Sequence, residues 1–356
     1  MKKYKVAVIG VGGISSCHID GYLSDPRCEL YAFCDINEHT LKSKGEKYGI
    51  TRLYTDCNQM FKACPEIDAV SVCTWNNAHV PVGLAAIEND CHVFCEKPMA
   101  MSAKEAEKLK AAAENKGKVL GLGFVRRFGE DASLAKEMAE NGMLGSVYYA
   151  KALYLRRNGN PGGWFADSKR SGGGPMIDLG VHVIDLVRYI AGNPKPVSVY
   201  GATFRKLGDR SDLKDKKQFF LGDLADERES KVCDVEDLAT AMIRFDNGMV
   251  LSVETSYSLN TENDSGRVEL FGDKGGITID PDLVYHGEVC NRLADIRFKS
   301  PARFVGSEYA PEIHNFISAI EGKEQLKATA DDGVWLMKIL DAVYESAKTQ
   351  KEVTIA

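Results

Sequence analysis

Residues Tyr4 to Gly13 read Tyr-Lys-Val-Ala-Val-Ile-Gly-Val-Gly-Gly, an apolar run that breaks into glycines and gives way to helix-like spacing from Ile14 to Leu23. This order constrains the fold more than any other feature, because a buried strand, a glycine turn and a helix in succession open a parallel α/β sheet. Gly10 and Gly12 take the first two glycine positions of a dinucleotide-binding turn, and Ser15 stands at the third. The next apolar run, Cys28 to Cys34, ends in Asp35, 20 residues beyond Ser15 and close to where a ribose-binding carboxylate is expected. That charge would repel a 2′-phosphate, and no Arg or Lys follows before Lys42, so the spacing predicts NAD rather than NADP. Glycine turns after strands are common, but the strand-to-helix position and Asp35 together outweigh a purely structural reading.

Strand and helix patterns alternate through the first third. Helix-like Glu38 to Tyr48 is followed by apolar Asp68 to Cys73, helical Val80 to Glu88, strand-like Cys91 to Cys95, helical Ala103 to Lys116 and apolar Val119 to Phe124. Such alternation predicts a doubly wound parallel sheet of Rossmann type over residues 1–124. Beyond it, residues 125–356 read as a second, α+β domain with a largely antiparallel open sheet. Its strands are expected at Val147 to Leu155, Val197 to Phe204, Asp237 to Phe245, Met249 to Tyr257, Arg267 to Gly272 and Gly276 to Ile279. Turns such as Asp246-Asn247-Gly248 favour antiparallel pairing. Lys206 to Lys231 is charged without clear periodicity and is expected to be an exposed excursion. Amphipathic helices near Glu312 to Ile320 and Asp332 to Ala347 close the chain, with room to pack back on the first domain.

A chain of 356 residues holds two substantial cores. A net charge of -6, with no Lys/Arg-rich block interleaved with aromatics, argues against a nucleic-acid partner. The ten cysteines show no Cys-x-x-Cys pair and sit mostly in apolar runs, so they read as buried thiols in a reducing compartment rather than as a zinc site or disulfide framework. The opening Met1-Lys2-Lys3 and apolar run resemble a signal peptide only superficially, since glycines break the run. No stretch approaches a membrane span, and a cytoplasmic location is expected.

Gly172-Gly173-Gly174-Pro175 leads into a helical pattern carrying Asp178 and His182, four residues apart and so on one helix face. The glycines permit close backbone approach and the proline suits a first helical turn. The plain alternative is a first-turn charge and a satisfied core histidine. A metal shared by Asp178, His182 and Asp185 is a weaker possibility, Asp185 being more simply a helix-surface acid. At Cys95-Glu96-Lys97-Pro98 a strand ends in a charged pair. Carboxyl ends of parallel strands are where ligands bind, so Lys97 can sit beside a nicotinamide. The segment Asn158 to Arg170 is Gly/Pro-rich and leads to the Asp178 helix. Trp164 there either stacks on a sugar ring or anchors the loop, while Arg156 and Arg157 would address hydroxyls.

Together these pieces resemble one family, the glucose-fructose oxidoreductase, inositol dehydrogenase and MocA group of NAD(P)-dependent oxidoreductases, and the resemblance covers nearly the whole chain. It implies that Lys97, Asp178 and His182 line the site where a sugar or polyol hydroxyl meets the nicotinamide. It further implies that Gly10, Gly12, Gly13 and Ile14 form the pyrophosphate turn, Asp35 is the ribose acid, and Thr74, Asn76, His79 and Glu96 belong to the cofactor-side loops. Trp75 departs from the proline common in the family. The implied activity is NAD-dependent oxidation of a secondary hydroxyl of a sugar, glycoside or polyol, with His182 taking the proton, Asp178 orienting it and Lys97 sharing it. A glycoside lyase or hydrolase using transient oxidation, a sugar-sensing regulator and a scaffold protein are the alternatives; the three titratable residues together disfavour the last two. A one-sided antiparallel sheet predicts a homodimer or homotetramer.

Overall fold

The computed structural model describes residues 3–208, 210, 213, 232–298 and 308–355. In chain order its first elements are β1 (Tyr4–Ile9), α1 (Ser15–Ser24), β2 (Cys28–Cys34), α2 (Glu38–Tyr48), β3 (Leu53–Tyr54), α3 (Cys57–Ala63), β4 (Ala69–Val72), α4 (Asn76–Glu88), β5 (His92–Glu96), α5 (Ala103–Lys116) and β6 (Leu120–Gly123). There follow α6 (Glu130–Glu140), β7 (Val147–Leu155), α7 (Ser168–Ser171), α8 (Val181–Ile190), β8 (Pro196–Phe204), β9 (Leu238–Phe245), β10 (Val250–Ser256), β11 (Ser265–Gly272), β12 (Gly276–Ile279), β13 (Val284–Val289) and β14 (Arg292–Arg297). The chain closes with α9 (Tyr309–Ile320), α10 (Ala330–Thr349) and β15 (Val353–Thr354). Most of the charged Lys206 to Lys231 stretch lies outside the described residues.

The fold separates into two compact units, the first built on residues 3–125 with 308–334 and the second on 126–208, 232–298 and 335–355. The first unit is a six-stranded, all-parallel sheet in the order β3-β2-β1-β4-β5-β6. Its central strands β1, β4 and β5 are short, apolar and almost wholly buried, as strands covered on both faces must be. The order reverses between β1 and β4, and a crevice beyond the carboxyl ends of these strands is the ligand position of such sheets. Helix ends follow local chemistry: the Asn37 side chain accepts the His39 and Thr40 N–H groups to open α2, and Gly49, at φ 70°, ends it. Helix α9 packs against α1, where Gly21 leaves room for Ile313.

The second unit carries a nine-stranded sheet in the order β14-β13-β12-β11-β7-β10-β9-β8-β15. Every pairing is antiparallel except β7 with β10, which run parallel. Strand β9 alternates strictly, burying Ala239, Ala241, Ile243 and Phe245 and exposing Met242 and Arg244, so one face is covered and one open. Helix α8 packs on β7 and β11. Asp185 of α8, expected at the helix surface, is instead buried: Arg127 Nε and Nη2 donate to its two oxygens at 2.9 and 2.6 Å, with both side chains almost fully enclosed. The apolar face of α8 is broad enough to bring this acid inward, and only an arginine partner makes its burial tolerable.

Candidate active site

Beyond β1 the chain turns through Gly10 at φ 82°, and a Cβ there would stand 2.6 Å from the Cys73 carbonyl oxygen at the end of β4. Only glycine fits, so β1 and β4 can approach closely at their carboxyl ends. A Cβ on Gly13, by contrast, would meet nothing within 4 Å, leaving open space over the turn. Ile14 is the N-cap of α1. Ser15, fully buried, donates its hydroxyl to the Gly12 carbonyl at 2.6 Å; a small side chain therefore serves at the third glycine position and braces the turn. The Asp35 carboxylate accepts the Val11 N–H at 2.7 Å through Oδ2 and the Asn37 N–H at 2.8 Å through Oδ1. Each oxygen keeps a further lone pair for a ribose hydroxyl. The residues present fit a dinucleotide.

From Val93 to Ala100 every residue is buried except Lys97, which follows the last residue of β5. Its backbone N–H donates to Glu96 Oε2 at 3.1 Å, and Glu96 Oε1 lies 2.7 Å from His18 Nε2. The Glu96 carboxylate thus faces the interior and braces the lysine from behind. Buried His79 places Nδ1 2.7 Å from the Pro98 carbonyl and Nε2 3.1 Å from the Thr74 carbonyl, tying the turn after β4 to the turn after β5. Burial pushes its pKa down against the pull of the two carbonyls. Thr74 and Trp75 are half-buried in that first turn, and Asn76 is buried at the start of α4.

Asp178 does not sit in regular α-helix. Met176–Gly180 forms a π turn in which the Val181 N–H reaches back to the Met176 carbonyl, and α8 begins only after it. Such wide turns recur at functional sites. Between Gly173 and Arg188 every residue is buried except Asp178 and His182, which are half-buried. Next to this turn lies Tyr257, just past β10 and fully buried, whose pKa is raised well above the phenol range by burial and by the neighbouring Asp178 charge, partly offset by Arg156. Its hydroxyl stays protonated. The buried hydroxyls of Thr255 and Ser258 close by make no hydrogen bond to the described residues.

Arg156 therefore shares the surroundings of Asp178, and its Nη1 also donates to the Gly159 carbonyl at 3.2 Å. Arg157 is exposed and gives Nη1 to the Glu262 carbonyl at 2.9 Å. Trp164 is half-buried and stacks on Phe165 with ring centroids 3.9 Å apart. Sequence reasoning singled out neither Tyr257, Glu236 nor His18. The adjacent acids Glu236-Asp237 before a strand were the available signal.

Two family descriptions match the chain: the oxidoreductase family's NAD-binding Rossmann fold over residues 4–124, and that family's C-terminal alpha/beta domain over residues 136–355. The chain belongs to the Gfo/Idh/MocA oxidoreductase family. Residues 4–124, within the first unit, are the NAD-binding Rossmann fold of that family. Among Gfo/Idh/MocA relatives, D-glucoside 3-dehydrogenase of Escherichia coli strain K12 is 35% identical over 99% of this chain and 97% of its own length. Myo-inositol 2-dehydrogenase of Thermotoga maritima is 27% identical over 99% of this chain and 98% of its own. Levoglucosan dehydrogenase solved with NADH and levoglucosan shares the fold at a TM-score of 0.85 and 23% identity, covering 99% of this chain and 100% of that one. Among the described residues no helix is long and apolar enough to cross a membrane.

Proposed function

We propose that this protein is an NAD-dependent dehydrogenase of a secondary hydroxyl on a sugar, glycoside or polyol, with a pyranose or glycoside as the favoured substrate class and inositol second. The observation that carries this reading is the selective exposure of Lys97, Asp178 and His182 within segments otherwise buried. Titratable groups that break two otherwise buried segments, one of them at the carboxyl end of a parallel strand, make a candidate site for acid–base chemistry.

The nicotinamide supplies the hydride acceptor. Alcohol oxidation also requires a base for the hydroxyl proton. His182 takes that proton, Asp178 orients the imidazole and binds a neighbouring hydroxyl, and Lys97 hydrogen-bonds the reacting oxygen. Arg156 and Trp164 contact the rest of the substrate. Gly10, Gly12, Gly13 and Ile14 seat the pyrophosphate, Asp35 receives the ribose, and Thr74, Asn76 and His79 shape the cofactor loops, with Glu96 acting through Lys97. The test is NADH absorbance at mildly alkaline pH with NAD or NADP and a panel of inositols, aldoses and glycosides. A rise on one class supports the reading; aglycone release without NADH would replace it with transient oxidation. Lys97→Ala and His182→Ala proteins that each keep near wild-type kcat would overturn the division of roles.

We further propose that a second copy covers the open face of the nine-stranded sheet. Tyr200 and Met242, directly paired across β8 and β9, are 54% and 50% exposed, and Tyr149 stacks on Phe271 at 5.8 Å on the same face. Light scattering that finds only monomer for the wild type would exclude this, whereas a shift to monomer in Met242→Glu alone would support it.

A further inference from the structure

We infer that Glu236 and Tyr344 form a clamp that positions the turn bearing Asp178 and, through it, the start of α8 with His182; this rests on the proposed reading of those two residues as the substrate end of the site. Glu236 Oε2 accepts the Gly174 N–H at 2.9 Å, and Oε1 accepts the Met176 N–H at 3.2 Å and the Tyr344 hydroxyl at 2.8 Å. Pro175, between the two amides, has no N–H to offer. One carboxylate from the segment before β9 thereby satisfies two of the donors at the start of a helical stretch, the task a local cap usually performs.

The glycine run is shaped to this clamp. A Cβ on Gly173 would lie 2.1 Å from the Tyr344 hydroxyl oxygen, and one on Gly174 would lie 2.5 Å from the Glu236 carbonyl oxygen. Two glycines are thus accounted for by the Glu236–Tyr344 pair behind the turn rather than by a ligand in front of it. Asp178 follows Met176 by two residues, and its own N–H bonds the Gly174 carbonyl at 3.0 Å, so any displacement of Gly174 is passed directly to it. Burial pushes the Glu236 pKa up, while its three donors oppose that push. Tyr344, half-buried on α10, is raised well above its usual range by burial and by Glu236, and remains a donor. Neither residue touches the reacting atoms; both act through Asp178 and His182.

Glu236→Gln is the decisive variant, because its amide presents N–H where one of three donors now points. We expect kcat for the sugar or polyol to fall roughly tenfold to a hundredfold, as misplacement on the order of 1 Å does. KM and Kd for NAD should be unchanged, since the cofactor turn belongs to the other unit. Glu236→Asp should recover part of kcat, and Tyr344→Phe, which keeps both amide bonds, should lose less than Glu236→Gln. Hydrogen exchange supplies a readout free of activity: the peptide covering 172–182 should lose protection in Glu236→Gln while β5 and β6 keep theirs. A folded Glu236→Gln protein with wild-type kcat and unchanged exchange overturns the clamp. A wild-type protein inactive on every hydroxyl substrate, with exchange that still responds to Glu236→Gln, sinks the dehydrogenase reading instead and leaves the clamp standing.

Discussion

His18 Nε2 and Glu96 Oε1 meet 2.7 Å apart inside the first unit, with His18 Nδ1 2.8 Å from the Ser71 hydroxyl. The imidazole comes from the helix of the cofactor turn, the hydroxyl from β4, and the carboxylate from the strand end that presents Lys97. One buried network thus joins the three segments on which the cofactor crevice depends. Burial alone would discharge both ionisable groups. Against it, Cys73 and Glu96 hold His18 well above its ordinary 6.5, and His18 holds Glu96 below its ordinary 4.5.

The pair therefore shapes stability against pH. A raised imidazole contributes fully below 6.5 and fades as pH climbs through its folded value; a lowered carboxylate contributes fully above 4.5 and fades as pH falls through its own. Its contribution should peak between those two values. Within that window His18→Phe should cost about 3–5 kcal/mol in urea melts, because it strands a buried carboxylate. The double replacement with Glu96→Leu should recover most of the loss and flatten the pH dependence. A single His18→Phe protein as stable as wild type would remove the ion pair from the account.

Gly10 and Gly13 separate folding from binding. Gly10→Ala forces a side chain at φ 82° into the Cys73 carbonyl and should lower both the thermal midpoint and NAD affinity. Gly13→Ala points into open space and should leave the midpoint unmoved while weakening NAD. Calorimetry and NAD titration on the same two proteins check this; equal NAD affinity in Gly13→Ala and wild type would mean that the pyrophosphate lies elsewhere.

Asp35→Ala removes the acceptor of the Val11 and Asn37 N–H groups as well as the proposed ribose contact. A hydrogen bond to a charged group is worth about 1.5–3 kcal/mol, so kcat/KM with NAD should drop by roughly one to two decades, and the NAD-to-NADP ratio should shrink with it. An unchanged ratio would assign coenzyme choice to other residues.

What could be read ahead of the structure followed from local rules. The glycine turn, Asp35, and helices such as Glu38 to Tyr48 were legible because caps, periodicity and turn chemistry act over a few residues. The π turn at Met176–Gly180 was not, since its hydrogen bonds differ from α-helix without changing the apolar pattern. The β13–β14 hairpin escaped notice because its strands expose both faces and so lack alternation; its turn rests on Cys290 and Asn291, both at positive φ. Glu236 and Tyr344 meet the Asp178 turn, and His18 meets Glu96, through contacts distant in sequence.

Trp164 is half-buried and stacks one ring face on Phe165. Trp164→Ala should raise KM for the sugar more than it lowers the thermal midpoint. The reverse pattern would identify the pair as an anchor for the loop.

Arg127 and Asp185 test the opposite case, a charge pair inside the fold with no part in chemistry. Its two hydrogen bonds and near-complete enclosure, with the guanidinium 4.9 Å over the Tyr189 ring, give Asp185 its charge partner inside the fold. Asp185→Ala should cost about 3–5 kcal/mol by stranding a buried guanidinium, and Arg127→Met combined with Asp185→Leu should restore much of it. Once stability is restored, kcat should return with it, and activity should be indifferent to a chelator throughout. If the restored double variant stays inactive, or a chelator abolishes wild-type turnover, then Asp185 serves the reaction directly and its burial with Arg127 is not the whole of its role.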